Sequence, residues 1–335
     1  MPRARALLSG LALLTAAAAV GAAPALARQD ATTVVPNQGI VDVTTTLGYA
    51  HSAAAGTGIV VTPNGRVWTN NHVIRGATTI RVTVVLTHKT YTARVVGYSV
   101  QDDVAVLQLV GAKNLATAPL GNSATLKVGH AVRAIGNAGG AGGTPSVASG
   151  TVTALNRTIV ASDDQGASET LTGLIATSAP VQPGDSGGPL VNAAGRVVRI
   201  VTAGSSGFAF QASSTRGFAI PINKVRALAK QIVSGLSSKR IHVGATAFLG
   251  VSIQPQTSVG GAAVYQVLPG TAAEAAGIQN GDLIVSLDGV PITNASDLQT
   301  VVLTLKPGKT VSIQWQDGFG NTSSGTITPA SGPPQ

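Results

Sequence analysis

No cysteine occurs among the 335 residues. That absence excludes a disulfide scaffold, a thiolate nucleophile, a zinc ribbon and an iron–sulfur cluster together. Aromatic residues are scarce as well, with Trp 2, Tyr 4 and Phe 5. Charged residues make up 10% of the chain, against about 25% in an average globular protein. The mean hydropathy of +0.31 is high enough to raise a membrane protein. Beyond residue 27, however, no apolar run approaches the ~18–20 residues needed to span a bilayer, so a polytopic membrane protein is excluded. Intrinsic disorder is excluded too, because 44% hydrophobic residues suffice to build a core. The length suggests about two domains.

Acidic residues are few, 13 against 22 Lys and Arg, for a net charge of +9. The excess is uneven. Residues 28–240 hold 18 basic and 8 acidic residues, whereas 241–335 hold 2 and 5. The basic residues are scattered singly, with no Lys/Arg-rich run and few aromatics to stack bases. This is a surface for solubility, and no nucleic-acid partner is expected. The sign change supports two separate domains.

Residues 1–27 have the build of a secretory signal peptide. Arg3 and Arg5 form a positive start, an apolar stretch runs from Ala6 to about Ala23, and Ala25-Leu26-Ala27 supplies a cleavage site. An uncleaved membrane anchor is the alternative; Pro24 and the small-residue exit favour cleavage. The expected location is extracytoplasmic, either secreted or in the cell envelope.

From Ile59 onward, short β-branched runs alternate with Gly, Asn, Pro and Asp, as in Ile80–Leu86, Val104–Leu109, Ala131–Ile135 and Val197–Val201. Pro63-Asn64-Gly65 reads as a hairpin turn. Many short strands predict an all-β barrel or sandwich. Val225, Leu228, Ala229, Ile232 and Val233 then recur at helical spacing between Pro221 and Gly235, predicting one closing helix. Ser237-Ser238-Lys239-Arg240 reads as a polar hinge. In the second domain, Thr271–Glu274 and Ser296–Gln299 read as capping boxes that open two short helices. The Pro/Ser/Gly-rich tail from Pro329 to Gln335 is expected to be disordered.

The sharpest local feature is Gly184-Asp185-Ser186-Gly187-Gly188-Pro189-Leu190. Glycines flanking a serine let a loop bring the amides of Gly184 and Ser186 onto the side of the hydroxyl, where an oxyanion would develop. Alone, such a loop is weak evidence of catalysis. Its company matters. Among five histidines only His72, in Thr69-Asn70-Asn71-His72-Val73, has a suggestive setting, and Asp103 immediately precedes the alternating strand Val104–Leu107. The order His72, Asp103, Ser186 is that of the chymotrypsin-type barrel. Asp102 competes with Asp103 for the middle role, and the position next to the strand favours Asp103.

These motifs, with Gly217-Phe218-Ala219-Ile220-Pro221, resemble the HtrA (DegP-like) trypsin-fold proteases in order and spacing. Further on, Phe248-Leu249-Gly250-Val251, Pro269–Ile278, Gly281–Ile284 and Asp288-Gly289 resemble a bacterial PDZ domain. Coverage runs from about residue 55 to 328. The resemblance implies a mainly β chain: a chymotrypsin-like double β-barrel domain at 55–236, a hinge at 237–246 and a small α+β PDZ domain at 247–328. The segment 28–54 is not matched.

The resemblance further implies acyl transfer to water without a cofactor or metal. His72 serves as general base, Asp103 orients it, Ser186 attacks the peptide carbonyl, and the Gly184 and Ser186 amides hold the oxyanion. The family usually has Asn before the nucleophile, and here Asp185 stands there; an Arg partner or solvent are the two expectations for it. The primary pocket falls around Val181, Thr202 and Gly204, with no acidic residue, so cleavage after Val, Ala, Ile or Leu is expected. The PDZ resemblance implies that Leu249, Gly250, Val251 and Leu298 hold a C-terminal peptide. Expected partners are unfolded polypeptides and C-terminal peptides, and a homotrimer is the oligomer common in the family.

Two signals carry no function. The glycine-rich stretch Gly136–Thr144 lacks the Gly-Lys-Ser/Thr of a nucleotide loop, and Asp102-Asp103 and Asp163-Asp164 lack EF-hand spacing. A non-hydrolytic chaperone or peptide-binding adaptor on a protease scaffold is the competing class. It has no mechanistic need for all three triad residues, so an exported serine endopeptidase is the expected activity.

Overall fold

The computed structural model describes residues 37–163, 168–202, 208–210, 217–254 and 260–335. The expected signal segment 1–27 and the expected pocket residue Gly204 lie outside them. The first barrel is built from β1 (Ile40–Leu47), β2 (Ser52–Thr62), β3 (Arg66–Thr69), β4 (Thr79–Val84), β5 (Lys89–Ser99) and β6 (Val104–Leu109), with the short helix α1 (Asn71–Ile74) after β3. Its strands pair in the order β5-β4-β1-β2-β3-β6, and β5 also pairs with β6, which closes the sheet. Closure removes the open edges that would otherwise invite aggregation. The Pro63-Asn64-Gly65 turn forms as expected between β2 and β3, with Gly65 at φ 86°.

β6 shows why its residues read as a buried run. Ala105, Leu107 and Leu109 face the core of the first barrel, while Val104 and Val106 join a second core shared with the rest of the domain. Alternation persists, but both faces are covered.

The second barrel contains β7 (Ala131–Gly136), β8 (Ser146–Asp163), β9 (Ser168–Thr177), β10 (Pro189–Asn192), β11 (Val197–Val201) and β13 (Gly217–Pro221), with β12 (Phe208–Phe210) added on β8. The order β8-β7-β10-β11-β13-β9 closes through β8 and β9. Helix α2 (Ile222–Val233) seals both barrels. Its Ile222, Val225, Leu228, Ala229 and Ile232 share one core with Trp68 and Val106 of the first barrel and with Ile200 and Ile220 of the second. Two closed barrels and one sealing helix match the expected fold class.

After α2 come β14 (His242–Val243), β15 (Thr246–Phe248), β16 (Val251–Ile253), β17 (Ala262–Val267), α3 (Ala272–Ala275), β18 (Leu283–Leu287), β19 (Val290–Pro291), α4 (Ala295–Thr304), β20 (Val311–Gln316), β21 (Thr322–Ile327) and β22 (Ala330–Gly332). The sheet order β16-β17-β18-β20-β21 leaves β16 as an edge strand. Leu298, Val301, Val302 and Leu305 of the α4 region all enter this domain's core.

Several expectations need correction. The first barrel begins at Ile40, not at 55, because β1 is a central strand paired with both β2 and β4. Its threonines and Asp42 hide that role in the sequence. The segment 237–246 is not a free hinge: Ile241 is buried, Arg240 is ion-paired to Asp102, and His242–Val243 pairs with β5. The tail is ordered, since Ala330–Gly332 pairs with β15 and the Pro334 carbonyl accepts the Gly76 amide at 2.8 Å. Asn294, rather than Ser296, caps α4 by accepting the Asp297 amide at 3.0 Å. Thr271 does not close a capping box either: its hydroxyl donates to the Leu268 carbonyl, and Glu274 accepts from the Gly270 amide instead.

Candidate active site

His72 sits in α1, directly after β3, and Asp103 ends the turn before β6; β3 and β6 are paired neighbours. That pairing brings the two side chains together. His72 Nδ1 lies 2.9 Å from Asp103 Oδ2 and 3.0 Å from Oδ1, and the His72 main-chain N–H donates to Oδ1 at 3.0 Å. A carboxylate only accepts, so the ring proton belongs on Nδ1 and Nε2 is the basic nitrogen. Asp103 is 1% exposed and adopts a left-handed backbone at φ 52°. Asp tolerates that region better than most residues. Its amide donates to the Val100 carbonyl at 3.0 Å, and its carbonyl accepts from the Asn70 side chain at 2.8 Å.

The second oxygen of Asp103 has another partner. Thr202, at the end of β11, donates its hydroxyl to Asp103 Oδ2 at 2.7 Å and is fully buried. Thr202 is expected from the sequence to line the specificity pocket; its side chain stands behind the Asp103 carboxylate instead. Asp102, the competitor for the middle role, faces away. It pairs with Arg240 and Lys224 and accepts from the Ser99 hydroxyl.

Ser186 occupies the loop between β9 and β10 and is buried. One residue braces this loop. Thr57 of β2 donates its amide to the Ser186 carbonyl at 2.7 Å and its hydroxyl to the Gly184 carbonyl at 2.7 Å. The same hydroxyl accepts from the Asn137 amide at 2.9 Å. At Gly187, φ is 83° and a Cβ would collide with the Thr57 carbonyl and the Thr69 hydroxyl, so glycine is required there. A Cβ on Gly56 would touch both Val73 and the Ser186 carbonyl, which shows that the histidine helix and the serine loop converge on that strand. The Pro183 carbonyl accepts from the Gly139 amide at 2.8 Å. In a trans peptide the N–H points opposite the C=O, so the Gly184 N–H is directed away from Gly139. Among the described residues it donates to no acceptor.

In the second domain, the Leu249 and Gly250 carbonyls accept from the Ala273 and Leu268 amides, both at 2.8 Å, while the Leu249 and Gly250 amides have no acceptor among the described residues. Gly250 has φ 89°, and a Cβ would strike Thr271. The side chains of Leu249 and Leu298 are buried in the core, and Val251 on the edge strand β16 is half-buried. Of the four expected groove residues, Leu249 and Gly250 therefore offer backbone and Val251 offers a strand edge.

Residues 56–200 match the trypsin-like peptidase domain family and residues 247–318 match the PDZ domain family. The chain is 33% identical over 318 residues to the serine protease PepD of Mycobacterium tuberculosis, covering 91% of this chain and 66% of that protein. It is 35% identical over 274 residues to the periplasmic serine endoprotease DegP of Salmonella typhimurium, covering 78% of this chain and 54% of that protein. Among solved structures, the HtrA-type protease AlgW with tripeptide is similar at a TM-score of 0.52 and 27% identity, covering 91% of this chain and 97% of that one. The chain belongs to the HtrA-like serine proteases. It spans about two thirds or less of the length of these curated relatives.

For this HtrA-like chain, the expected pocket is only partly described. Val181 is half-buried, and a Cβ on Gly217 would meet its methyl groups at 2.6 and 3.1 Å, so these two residues pack side by side. Among the described residues Asp185 has no arginine partner, and it is not solvated; these were the two expectations for it. It is 2% exposed, and burial pushes its carboxyl up, offset only in part by the Gln182 amide and the Ser146 hydroxyl. Sequence reasoning missed Thr57, Ser146 and the role of Asn70. All three act through hydrogen bonds to distant segments, and no local spacing marks them.

Proposed function

We propose that this HtrA-like chain is an exported serine endopeptidase that hydrolyses unfolded or misfolded proteins through an acyl-enzyme. The bonding of the His72 ring to buried Asp103 carries this reading. Nε2 of His72 takes the Ser186 proton as Oγ attacks the scissile carbonyl, and Asp103 stabilises the imidazolium that forms. The negative charge gathers on the carbonyl oxygen, where the Gly184 and Ser186 amides meet it; each such donor supplies about 3 kcal/mol in the transition state. Collapse expels the amine, which takes the proton from His72, and water repeats the sequence to release the acid.

The PDZ domain takes a C-terminal peptide as an added strand on β16, its carboxylate held by the Leu249 and Gly250 amides. Val181 and its apolar surroundings favour cleavage after Val, Ala, Ile or Leu. Export follows from the signal-like first 27 residues. A fluorophosphonate probe tests the central claim: the wild type labels and Ser186→Ala does not. No labelling of the wild type, or equal labelling of both, would favour a non-hydrolytic adaptor. Titration of an apolar C-terminal peptide against its amidated form tests the PDZ claim, equal affinities being the overturning result.

A further inference from the structure

The residue before the nucleophile is the most unusual buried group in the site. Asp185 lies directly over Gly136 at the end of β7, where an added Cβ would meet Asp185 Oδ1 at 2.6 Å. Its Oδ2 accepts from the Gln182 amide at 2.9 Å, and its Oδ1 lies 2.8 Å from the Ser146 hydroxyl on β8. Its own amide donates to the Gln182 carbonyl, and its carbonyl accepts from the Gly188 amide. The loop that presents Ser186 is thus folded around this one side chain.

If the carboxyl is ionised, the Ser146 hydroxyl has two acceptors to serve. Ser146 Oγ is also 3.0 Å from the Gly136 carbonyl. One hydroxyl proton then faces two acceptors, Asp185 Oδ1 and the Gly136 carbonyl. If Asp185 carries a proton on Oδ1, it donates to Ser146 Oγ, and Ser146 donates to Gly136. Each contact then joins a donor to an acceptor. Among the described residues, the groups packed on the carboxyl from β7, β8 and its own loop are Gly136, Ser146 and Gln182, and none is charged. An unpaired carboxylate at such a place is costly, and burial accordingly pushes this carboxyl up.

We infer that Asp185 is a positioning residue that works as a neutral acid, locking the Ser186 loop through a proton shared with Ser146. This deepens the proposed function and rests on Ser186 being the nucleophile. Ionisation removes the donor to Ser146 and loosens the loop that carries the oxyanion amides. Activity therefore depends on two groups with opposite needs: His72 deprotonated and Asp185 protonated.

Asp185→Asn separates them. Its amide donates to Ser146 Oγ and its carbonyl accepts from Gln182, with no proton to lose. The experiment measures kcat and fluorophosphonate labelling rate against pH for both proteins. The expected result is a ratio of variant to wild type that climbs about tenfold through the Asp185 titration and then levels, a fraction of the roughly 100-fold lost when an oxyanion donor is removed. KM is expected to stay level. A carboxylic C=O infrared band present in the wild type and missing from the variant is the second readout, independent of activity. A flat ratio with both proteins labelled, or no such band, overturns the inference. Failure of the wild type to label at any pH overturns instead the assignment of Ser186 as nucleophile.

Discussion

Asp102 and Asp185 are almost equally sealed from water, at 1% and 2% exposure, yet the protein treats them in opposite ways. Burial pushes the Asp102 carboxyl up, but Arg240, Lys224 and Ser99 outweigh it and hold the group below the usual carboxylate range. Among the described residues Asp185 meets only neutral donors, and burial leaves it above that range. Asp102 joins α2, through Lys224, to the segment that enters the PDZ domain, through Arg240. Its charge serves assembly. Asp185 organises a single loop, and there a charge is a liability. Burial alone does not fix the state of a carboxyl; the donors brought to it by the fold do.

Asp103 adds a third case, and its replacement is the largest expected effect. Asp103→Asn removes the acceptor for the His72 ring proton and stabilises the wrong tautomer, so kcat falls about 10,000-fold. Asp102→Asn, one residue away, is expected to leave kcat within about threefold, because its partners do not touch the histidine. Peptidase assays on the two variants check this. Similar losses in both would show that the two aspartates are not functionally distinct.

The next effect is on stability. Asp102→Ala leaves Lys224 and Arg240 without their shared anion, side chains 24% and 51% exposed. Removing one partner of a fully buried pair costs 3–5 kcal/mol. Both cations here reach water, so a loss of about 2 kcal/mol is expected by urea unfolding near neutral pH. The sign with pH follows from the lowered carboxyl. Its stabilisation is present above the unfolded carboxylate pKa and disappears as pH falls through the folded value, so wild type and variant converge in acid. Asp185→Asn runs the other way. A raised carboxyl stabilises below the unfolded pKa and loses that contribution as pH rises through the folded value. The Asn variant is expected to match the wild type in acid and exceed it at higher pH. Parallel pH slopes for the two variants would end the comparison.

Much of this was readable in advance because chain order and loop chemistry are local. Gly184–Leu190, His72 and Asp103 stand in the order the fold requires, and α2 is plain from Val225, Leu228, Ala229 and Ile232. What escaped reading was non-local. β1 is not legible because its second half is rich in threonine and its first half, Ile40–Val43, is covered on both sides. Thr202 and Thr57 act on residues 99 and 127 positions away, and no spacing encodes such pairings. The linker and tail look polar and loose by composition, but Arg240 is fixed by Asp102 in the β5–β6 turn and Gly332 by Thr246 of β15. Asp185 was legible as an anomaly, not as a role, because its partner Ser146 lies on another strand.

The smallest expected effect supplies the reference for both aspartates, since it concerns a buried polar group that stays neutral. Tyr98 is fully buried beneath the PDZ domain, its hydroxyl 3.0 Å from Thr246 Oγ1 and accepting from the Gln335 amide at 3.1 Å. Burial raises its phenol, so it does not ionise where carboxylates titrate. Tyr98→Phe keeps the ring against His242 and removes only the hydroxyl. Thr246 still reaches His242 Nε2 at 3.4 Å, which softens the loss. A cost of about 1 kcal/mol is expected, that of one neutral hydrogen bond. Because neither partner changes charge, the difference between Tyr98→Phe and wild type should stay constant across acid and neutral pH in the same urea experiment. A pH-dependent difference would mean that the hydroxyl is coupled to a group that changes charge. The opposite slopes at Asp102 and Asp185 would then need correction for it before being assigned to the carboxyls alone.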